Sequence, residues 1–285
     1  MKLSLNEIKY KANDIRQDII EMLAAAGSGH SAGPLDMADV FAVLYFGGVM
    51  EYNPEDPNWE GRDRLILSCG HICPVLYASM AEAGYFPKEE LLTLRKFGTR
   101  LHGHPHNLAL PGIENSSGPL AQGSSQAVGM AYGLKMDHKH NRVYLIVSDG
   151  EQQEGQTWEA VMFAGKNKLN NITAIMDRNN IQIDGNTEDI MPLDDLKKKY
   201  ESFNWNVIEI DGNNVQKVIN ACQEAKTVHE KPTLILANTL AGKGVPYMEG
   251  DYRWHGMPPG IQDVTGAPPK KEQVEVALKA LRGER

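Results

Sequence analysis

Two short polar segments hold the residues with the clearest capacity for chemistry. Ser148-Asp149-Gly150 follows one apolar run, Val143–Val147, and Asp177-Arg178-Asn179-Asn180 follows another, Ile172–Met176. Asp149 and Asn179 offer a carboxylate and an amide carbonyl, hard oxygen ligands suited to Mg²⁺ or Ca²⁺. Magnesium holds about six oxygens, so two side chains leave positions for diphosphate oxygens and a water. Gly150 has no side chain to keep a phosphate away, and a helix opening near Gly155 adds its N-terminal dipole. Ser-Asp-Gly and Arg-Asn-Asn are also ordinary turn residues, so spacing alone leaves both readings open. Neither G-x-G-x-x-G nor G-x-x-x-x-G-K-[ST] follows a strand, which disfavours a Rossmann dinucleotide site or a P-loop.

Histidine is the second candidate group. His30, His71, His104 and His255 each stand beside glycine at the end of an element, and together they suggest a lined cleft. His102, His104 and His106 alternate, so an extended backbone puts them on one face, but no acidic or cysteine ligand is placed to complete a zinc site. His138, His140 and His229 fall in polar loops and read as solvated. Cys69 and Cys73 read as core thiols rather than a redox pair.

The elements that must position these residues alternate strand and helix. Leu5, Ile8, Ala12, Ile15, Ile19 and Leu23 recur at helical spacing and stop at Gly27-Ser28-Gly29. A Gly/Ser/Pro-rich turn then presents His30 before a helix over roughly 35–46. The strand Arg64–Ser68 delivers Cys69-Gly70-His71 ahead of a helix over 72–83. Residues 98–125 form the longest irregular stretch, a length more often functional than idle. A helix over 122–136 leads into the strand–helix–strand unit carrying Asp149 and Asn179. In a parallel unit of that kind both polar turns lie at the C-terminal edge of one sheet, where ligands of open α/β sheets bind. Strand 207–210, helix 215–228, strand 233–238, a loop with Trp254-His255-Gly256 and a helix over about 271–281 complete the chain. The pattern predicts an α/β fold with a doubly wound, mainly parallel sheet and helices on both faces. It reads as a single domain over 1–285, with a helical tail from about 268.

Bulk properties narrow the classes. The 285 residues are 41% apolar and 23% charged, with a net charge of -8 and no Lys/Arg block, so nucleic-acid or membrane-surface binding is not indicated. No apolar run reaches the roughly 18–20 residues of a membrane span. The charged N-terminus lacks a signal-peptide core, and the sparse set of 3 cysteines suits a reducing, cytoplasmic setting.

The ordered motifs resemble one family. Asp149-Gly150 with Asn179 is similar to the GDG…N signature of thiamine diphosphate enzymes. SGHSAGPLDMAD (from Ser28), SCGHICPVLYA (from Ser68), GHPHNLALPGIENSSGPLAQGSSQAVGMA (from Gly103) and Trp254-His255-Gly256 resemble motifs in the N-terminal part of transketolase, over about residues 5–260. The resemblance implies the thiamine diphosphate-binding fold and reversible transfer of a two-carbon ketol group from a ketose phosphate to an aldose phosphate, as in the pentose phosphate pathway. It implies thiamine diphosphate with Mg²⁺, or Ca²⁺ in its place, as cofactors. Asp149, Asn179 and the backbone carbonyl of Ile181 would bind the metal; Gly150 and His71 would contact the diphosphate. Gly118, Pro119 and Leu120 would line the aminopyrimidine and thiazolium region, with Ile183 in the same cofactor-binding set. His30, His104 and His255 would face the sugar as hydroxyl ligands and proton carriers. Glu154 and Glu159 would link two active sites across a dimer.

Several positions depart from the family pattern. Ser31-Ala32 stands where Pro-Gly is usual, Ser148 replaces a glycine, and Asn180 stands where lysine is common. None removes a ligand atom. Transketolases are also more than twice this length, so the pyrimidine-binding and C-terminal domains are expected on a separate C-terminal subunit. That subunit would bring the glutamate that protonates the cofactor's pyrimidine ring and the basic residues that grip the substrate phosphate, giving an α₂β₂ heterotetramer that is inactive without it. The sequence leaves open a sulfonated or branched sugar, the α subunit of a 2-oxo acid dehydrogenase, and a degenerate assembly subunit.

Overall fold

The computed structural model describes residues 2–284. In chain order the helices are α1 (Leu5–Ala26), α2 (Ala32–Asp36), α3 (Ala38–Phe46), α4 (Cys73–Glu82), α5 (Gln122–Met136), α6 (Gly155–Lys166), α7 (Thr187–Ile190), α8 (Leu196–Ser202), α9 (Val215–Thr227) and α10 (Lys270–Arg282). The strands are β1 (Arg64–Leu67), β2 (Val143–Ser148), β3 (Ile172–Arg178), the short β4 (Ile181–Gln182) and β5 (Gly185–Asn186), β6 (Asn206–Asp211) and β7 (Thr233–Asn238). Five strands form one parallel sheet in the order β1-β2-β3-β7-β6, while β4 and β5 pair as a small antiparallel hairpin. None of the described helices is long and apolar enough to cross a membrane.

Side chains of a strand alternate between faces, and here both faces are buried, as in doubly wound sheets. Val143, Leu145 and Val147 pack with α5, α6 and α8 on one side, whereas Tyr144 and Ile146 pack with α1, α3, α4 and α9 on the other. This two-sided core accounts for the uninterrupted apolar runs of β2 and β3. The crossover from β1 to β2 passes through α4 on the α1/α3/α9 face and then through α5 on the other, and those from β2 to β3 and β3 to β6 use α6 and α8 on the α5 face. The return from β6 to β7 uses α9 on the opposite face, as right-handed connections require when the strand order reverses. Chain leaving β3 and chain leaving β7 therefore diverge to opposite faces, opening a crevice at the carboxyl edge.

Two details differ from the sequence pattern. The expected helix over 35–46 is broken at Met37 into α2 and α3. Strand β3 continues past its apolar run through Asp177 and Arg178, because Asp177 still pairs with Ser148 and Ala237 in register. The expected C-terminal helix is present and docked: Ala277 and Leu281 are buried, and the Asn13 amide donates to the Leu281 carbonyl at 2.8 Å.

Two glycines on neighbouring helices give opposite predictions. A Cβ at Gly165 would sit 1.8 Å from the Phe203 carbonyl oxygen, whereas one at Gly133 would meet nothing within 4 Å. Gly165→Ala should destabilise the chain by about 2 kcal/mol or more through forced backbone displacement. Gly133→Ala should stabilise it by up to about 1 kcal/mol through helix propensity. Urea melts of the two variants check this, and equal midpoints would contradict the packing described.

Candidate functional site

The carboxyl ends of β1, β2 and β3, the loop before α5, the α1–α2 turn and the segment after β7 enclose a cleft of about 440 Å³. Of the residues expected from sequence, His30, His71, His104, Gly118, Leu120, Asp149, Gly150, Glu154, Asn179, Ile181, Ile183 and His255 line it. Pro119 lies between two lining residues without contributing to the wall, and Glu159 is exposed on α6.

Asp149 ends β2. Its Oδ1 accepts from the Gly150 N–H at 2.6 Å, and its Oδ2 accepts from the Asn180 N–H at 2.8 Å and from Arg178 at 3.1 Å. Burial pushes this carboxyl up, against the pull of Arg178 and the two N–H groups. Arg178, which also pairs with Glu188, is thus the cation neutralising Asp149 within the chain. Asn180 adopts the left-handed conformation, φ 64°, which turns the chain so that its N–H reaches back to Asp149.

Asn179 is fixed by a different set. Its amide nitrogen donates to Asp36 Oδ2 at 3.0 Å and to Asp177 Oδ2 at 2.9 Å, and its Oδ1 accepts from the Ile181 N–H at 3.1 Å. With the nitrogen committed to two carboxyls, the amide oxygen is held on the Ile181 side. Asp36 and Asp177 are both buried, and burial pushes both carboxyls up, Asp36 further through the neighbouring Asp177. Among the described residues no three His, Cys, Asp or Glu side chains converge on a metal position. A cation held by Asp149 and Asn179 would therefore draw most of its oxygen shell from a bound anion such as a diphosphate. Gly150 keeps the approach to that position open, since a Cβ there would stand 3.1 Å from the Gln182 side chain. The donor set and this cradle fit a hard divalent ion carrying a diphosphate.

The wall opposite is made of imidazoles. The ring centres of His30 and His71 are 4.8 Å apart, and both lie 5.3 Å from that of His255. Ser31, one of the departures from the motif, is fully buried, and its hydroxyl bonds the carbonyls of Trp254 at 3.0 Å and Met257 at 2.6 Å. It pins the turn carrying His30 to the segment carrying His255. His104 is positioned from beneath: the Tyr77 hydroxyl donates to the His102 carbonyl at 2.9 Å, and the Cys73 thiol to that of Gly103 at 3.2 Å. Burial, and then the neighbouring His255, drives His30 down to about 3; burial takes His255 to about 4 and His71 well below the ordinary range. All three rings are neutral at pH 7. The Nδ1 atoms of His30 and His255 are buried without a partner, so these rings have hydrogen-bonding capacity left for a bound molecule.

Sequence reasoning missed the groups that hold the ligands in place. Glu151 is wholly buried, bonded to the Ser68 hydroxyl, the Ala121 N–H and, at 3.2 Å, the Ser148 N–H. It ties the end of β1 and the Gly118–Ala121 loop to the end of β2. Asp36 carried one signal, an acid inside an otherwise apolar segment; Glu151 and Arg178 sat among turn residues with none.

Comparison with known proteins sets this cleft among relatives. Residues 8–272 match the family described as "Transketolase, thiamine diphosphate binding domain". The chain is 45% identical over 251 residues to the 6-deoxy-6-sulfo-D-fructose transketolase subunit of Clostridium sp. (strain MSTE9), covering 88% of this chain and 91% of that protein. It is 36% identical over 284 residues to an apulose-4-phosphate transketolase subunit of Phocaeicola vulgatus, covering 99% of this chain and 100% of that one. The crystal structure of transketolase from Campylobacter jejuni superposes with a TM-score of 0.88 at 31% identity, over 99% of this chain but 43% of the larger protein.

The depressed histidines predict a pH dependence. An unfolded histidine takes up its proton near 6.5, whereas folded His30 does so only near 3 and His255 near 4. Between those values the unfolded chain binds more protons, so this contribution to stability falls as pH is lowered from about 6.5 toward 4. His30→Gln should flatten the stability–pH curve over that window. An NMR titration should show no protonation of either ring down to pH 5.5; titration near 6.5 would contradict the burial described.

Proposed function

This chain belongs to the transketolase family, as its thiamine diphosphate-binding domain, and from that membership we propose that it is the cofactor-binding subunit of a split transketolase. The observation that carries the proposal is the convergence of Asp149, Asn179 and the four histidines on one cleft. The two relatives named above are each matched over at least 91% of their own length and are named as subunits, which supports a separate companion chain. The named relatives do not favour the 2-oxo acid dehydrogenase reading, and the intact ligand set weighs against a degenerate subunit.

In this reading Asp149 and Asn179 would hold Mg²⁺ together with the Ile181 carbonyl, and Gly150 and His71 would receive the diphosphate. Gly118, Leu120 and Ile183 would flank the rings of the cofactor. Ile183 is 65% exposed, an apolar side chain at the rim with room for something to cover it. When bound, thiamine diphosphate supplies the electron sink that lets a carbon–carbon bond beside a carbonyl break and re-form. The chain's own residues bind, orient and move protons. A neutral imidazole carries one donor and one acceptor nitrogen, so His30, His104 and His255 can each bond a sugar hydroxyl and hold or release its proton. Their desolvation keeps them uncharged at pH 7, which preserves the acceptor nitrogen. The companion subunit supplies the glutamate that activates the cofactor, two such pairs form an α₂β₂ heterotetramer, and the setting is cytoplasmic. The substrates are anionic ketoses and aldoses, with a two-carbon ketol group passed between them.

Two experiments test this. Calorimetric titration of the chain plus companion with thiamine diphosphate and Mg²⁺ should show saturable binding, reduced by at least about a hundredfold in Asp149→Ala, because a metal ligand and its charge are lost. A coupled assay for ketol transfer should be silent with either chain alone and active with both; turnover by the isolated chain would defeat the split-enzyme reading.

A further inference from the structure

Arg95 is unlike the other described arginines. Arg16, Arg62, Arg64, Arg100, Arg178, Arg253 and Arg282 each pair with a carboxylate, and Arg142 donates to the Asn170 and Ala225 carbonyls. Arg95 makes one long contact, to the Gly103 carbonyl at 3.5 Å. It lies in the wall of two depressions beside the histidine cleft, of about 450 and 580 Å³. The first is lined by Ser28, Lys96, Thr99, His102 and His104 as well, and by no acid. In a chain of net charge -8, a cavity with two cations and no carboxylate is a localised positive field that attracts anions.

The backbone makes room for this guanidinium. A Cβ at Gly103 would lie 2.7 Å from Arg95 Nε; at Gly29, where φ is +127°, the close approach is to Leu23 at 2.6 Å, and Arg95 Nε stands at an ordinary contact distance of 3.7 Å. Arg95 itself has φ 60°, uncommon for a residue with a side chain, and is held there by its N–H donating to the Leu101 carbonyl at 2.9 Å. A left-handed backbone, a glycine that its guanidinium requires at 103 and an exposed charge paired with no carboxylate meet at one residue, and such backbone strain gathers at ligand clamps. Gly29 and Gly103 directly precede the sugar-facing His30 and His104. The Arg95 charge is close enough to disfavour protonation of both rings.

We propose that Arg95, assisted by Lys96 and His104, forms an anion subsite on this chain that takes the phosphate or sulfonate end of the sugar substrate. The inference rests on the transketolase reading above and adds a substrate contact within this subunit to those expected from the companion chain. Guanidinium suits the task because its planar fork matches a tetrahedral oxyanion bidentately. Phosphate monoesters and sulfonates share that chemistry, and discrimination between them follows from charge: a dianion gains more than a monoanion from Lys96.

The test uses the full chain labelled with [¹⁵N]arginine, the Arg95 Nε–H resonance being identified by its loss in Arg95→Ala. Methyl phosphate and methanesulfonate are titrated separately, with chloride at matched ionic strength as control. A saturable shift of this resonance with either probe is expected, and whichever probe binds more tightly names the substrate class. Lys96→Ala should weaken the tighter probe several-fold, and Arg95→Lys, which keeps the charge and the fold, by roughly tenfold through loss of the bidentate pair. No shift beyond chloride with either probe, or full affinity in Arg95→Lys, overturns the subsite. Calorimetry with thiamine diphosphate and Mg²⁺ on the chain plus companion separates the two readings. Cofactor binding without the anion shift overturns the subsite alone; absence of cofactor binding overturns the transketolase reading and the sugar assignment with it.

Discussion

Buried carboxyl groups at the carboxyl edge of a parallel sheet set the terms for everything around them. Asp36, Asp149, Glu151 and Asp177 are each at most 1% exposed. A carboxylate removed from water is costly unless its oxygens are bonded. Each of these accepts at least one hydrogen bond, Asp36 through Oδ2 while its Oδ1 has no partner, and the bonds run between elements. Glu151 joins β1, β2 and the loop before α5. Asp177 bonds the Thr239 hydroxyl at the end of β7, and Asp36 bonds Asn179 across from α2. Six segments, β1, β2, β3, β7, α2 and the loop before α5, are therefore locked to one another through the bonds of these four acids. The rigidity of the cleft floor is a consequence of desolvation, since any loop that moved away would leave a buried charge unpaired.

The same desolvation acts with opposite result on the other wall. Burial favours the neutral form of a base as it does that of an acid, so the histidines are stripped of protons where the acids are pushed toward keeping theirs. The cleft thus has an acidic floor, a neutral imidazole wall and a cationic rim at Arg95 and Lys96. On the proposed reading, that ordering suits a ligand with a metal-bound diphosphate at one end and a reactive centre in the middle, beside a substrate that carries its charge at the far end.

Much of this was legible in sequence, for identifiable reasons. The two-faced burial of the sheet leaves apolar runs at β2 and β3 that periodicity detects, and a turn residue after a strand must lie at the sheet edge, so Asp149 and Asn179 could be placed together from sequence alone. The histidines were visible because glycine flanks each of them. The α2–α3 break at Met37 was hidden because helical spacing continues through it. Arg178 was hidden because its partner, Asp149, follows another strand, and nothing local distinguishes an arginine that neutralises a buried acid from one facing solvent. Ser31 read as a simple loss of the usual proline, whereas its hydroxyl makes a contact across 223 residues of chain. The general pattern is that ligand atoms leave a local signature and the groups that orient them do not, because orientation is a property of long-range pairs.

The engagement of the acids also bears on what this chain can do alone. A general acid or base must have an oxygen free to meet the proton it exchanges. Asp149 is committed to Arg178 and two N–H groups, Glu151 to a hydroxyl and two N–H groups, and Asp177 to Thr239 and Asn179. The remaining acids in the cleft wall, Glu154 and Asp184, are exposed. A carboxyl that has to share a proton with a nitrogen heterocycle needs a dry, fixed position, and neither exposed residue has one in the single chain. The buried acids here are structural and electrostatic, and the proton carriers are imidazoles. On the proposed reading, a companion chain closing over the rim at Ile183 and Glu154 would supply the desolvated free carboxyl that these cleft acids do not, and the support for it comes from the hydrogen bonds of the cleft rather than from the length of the relatives.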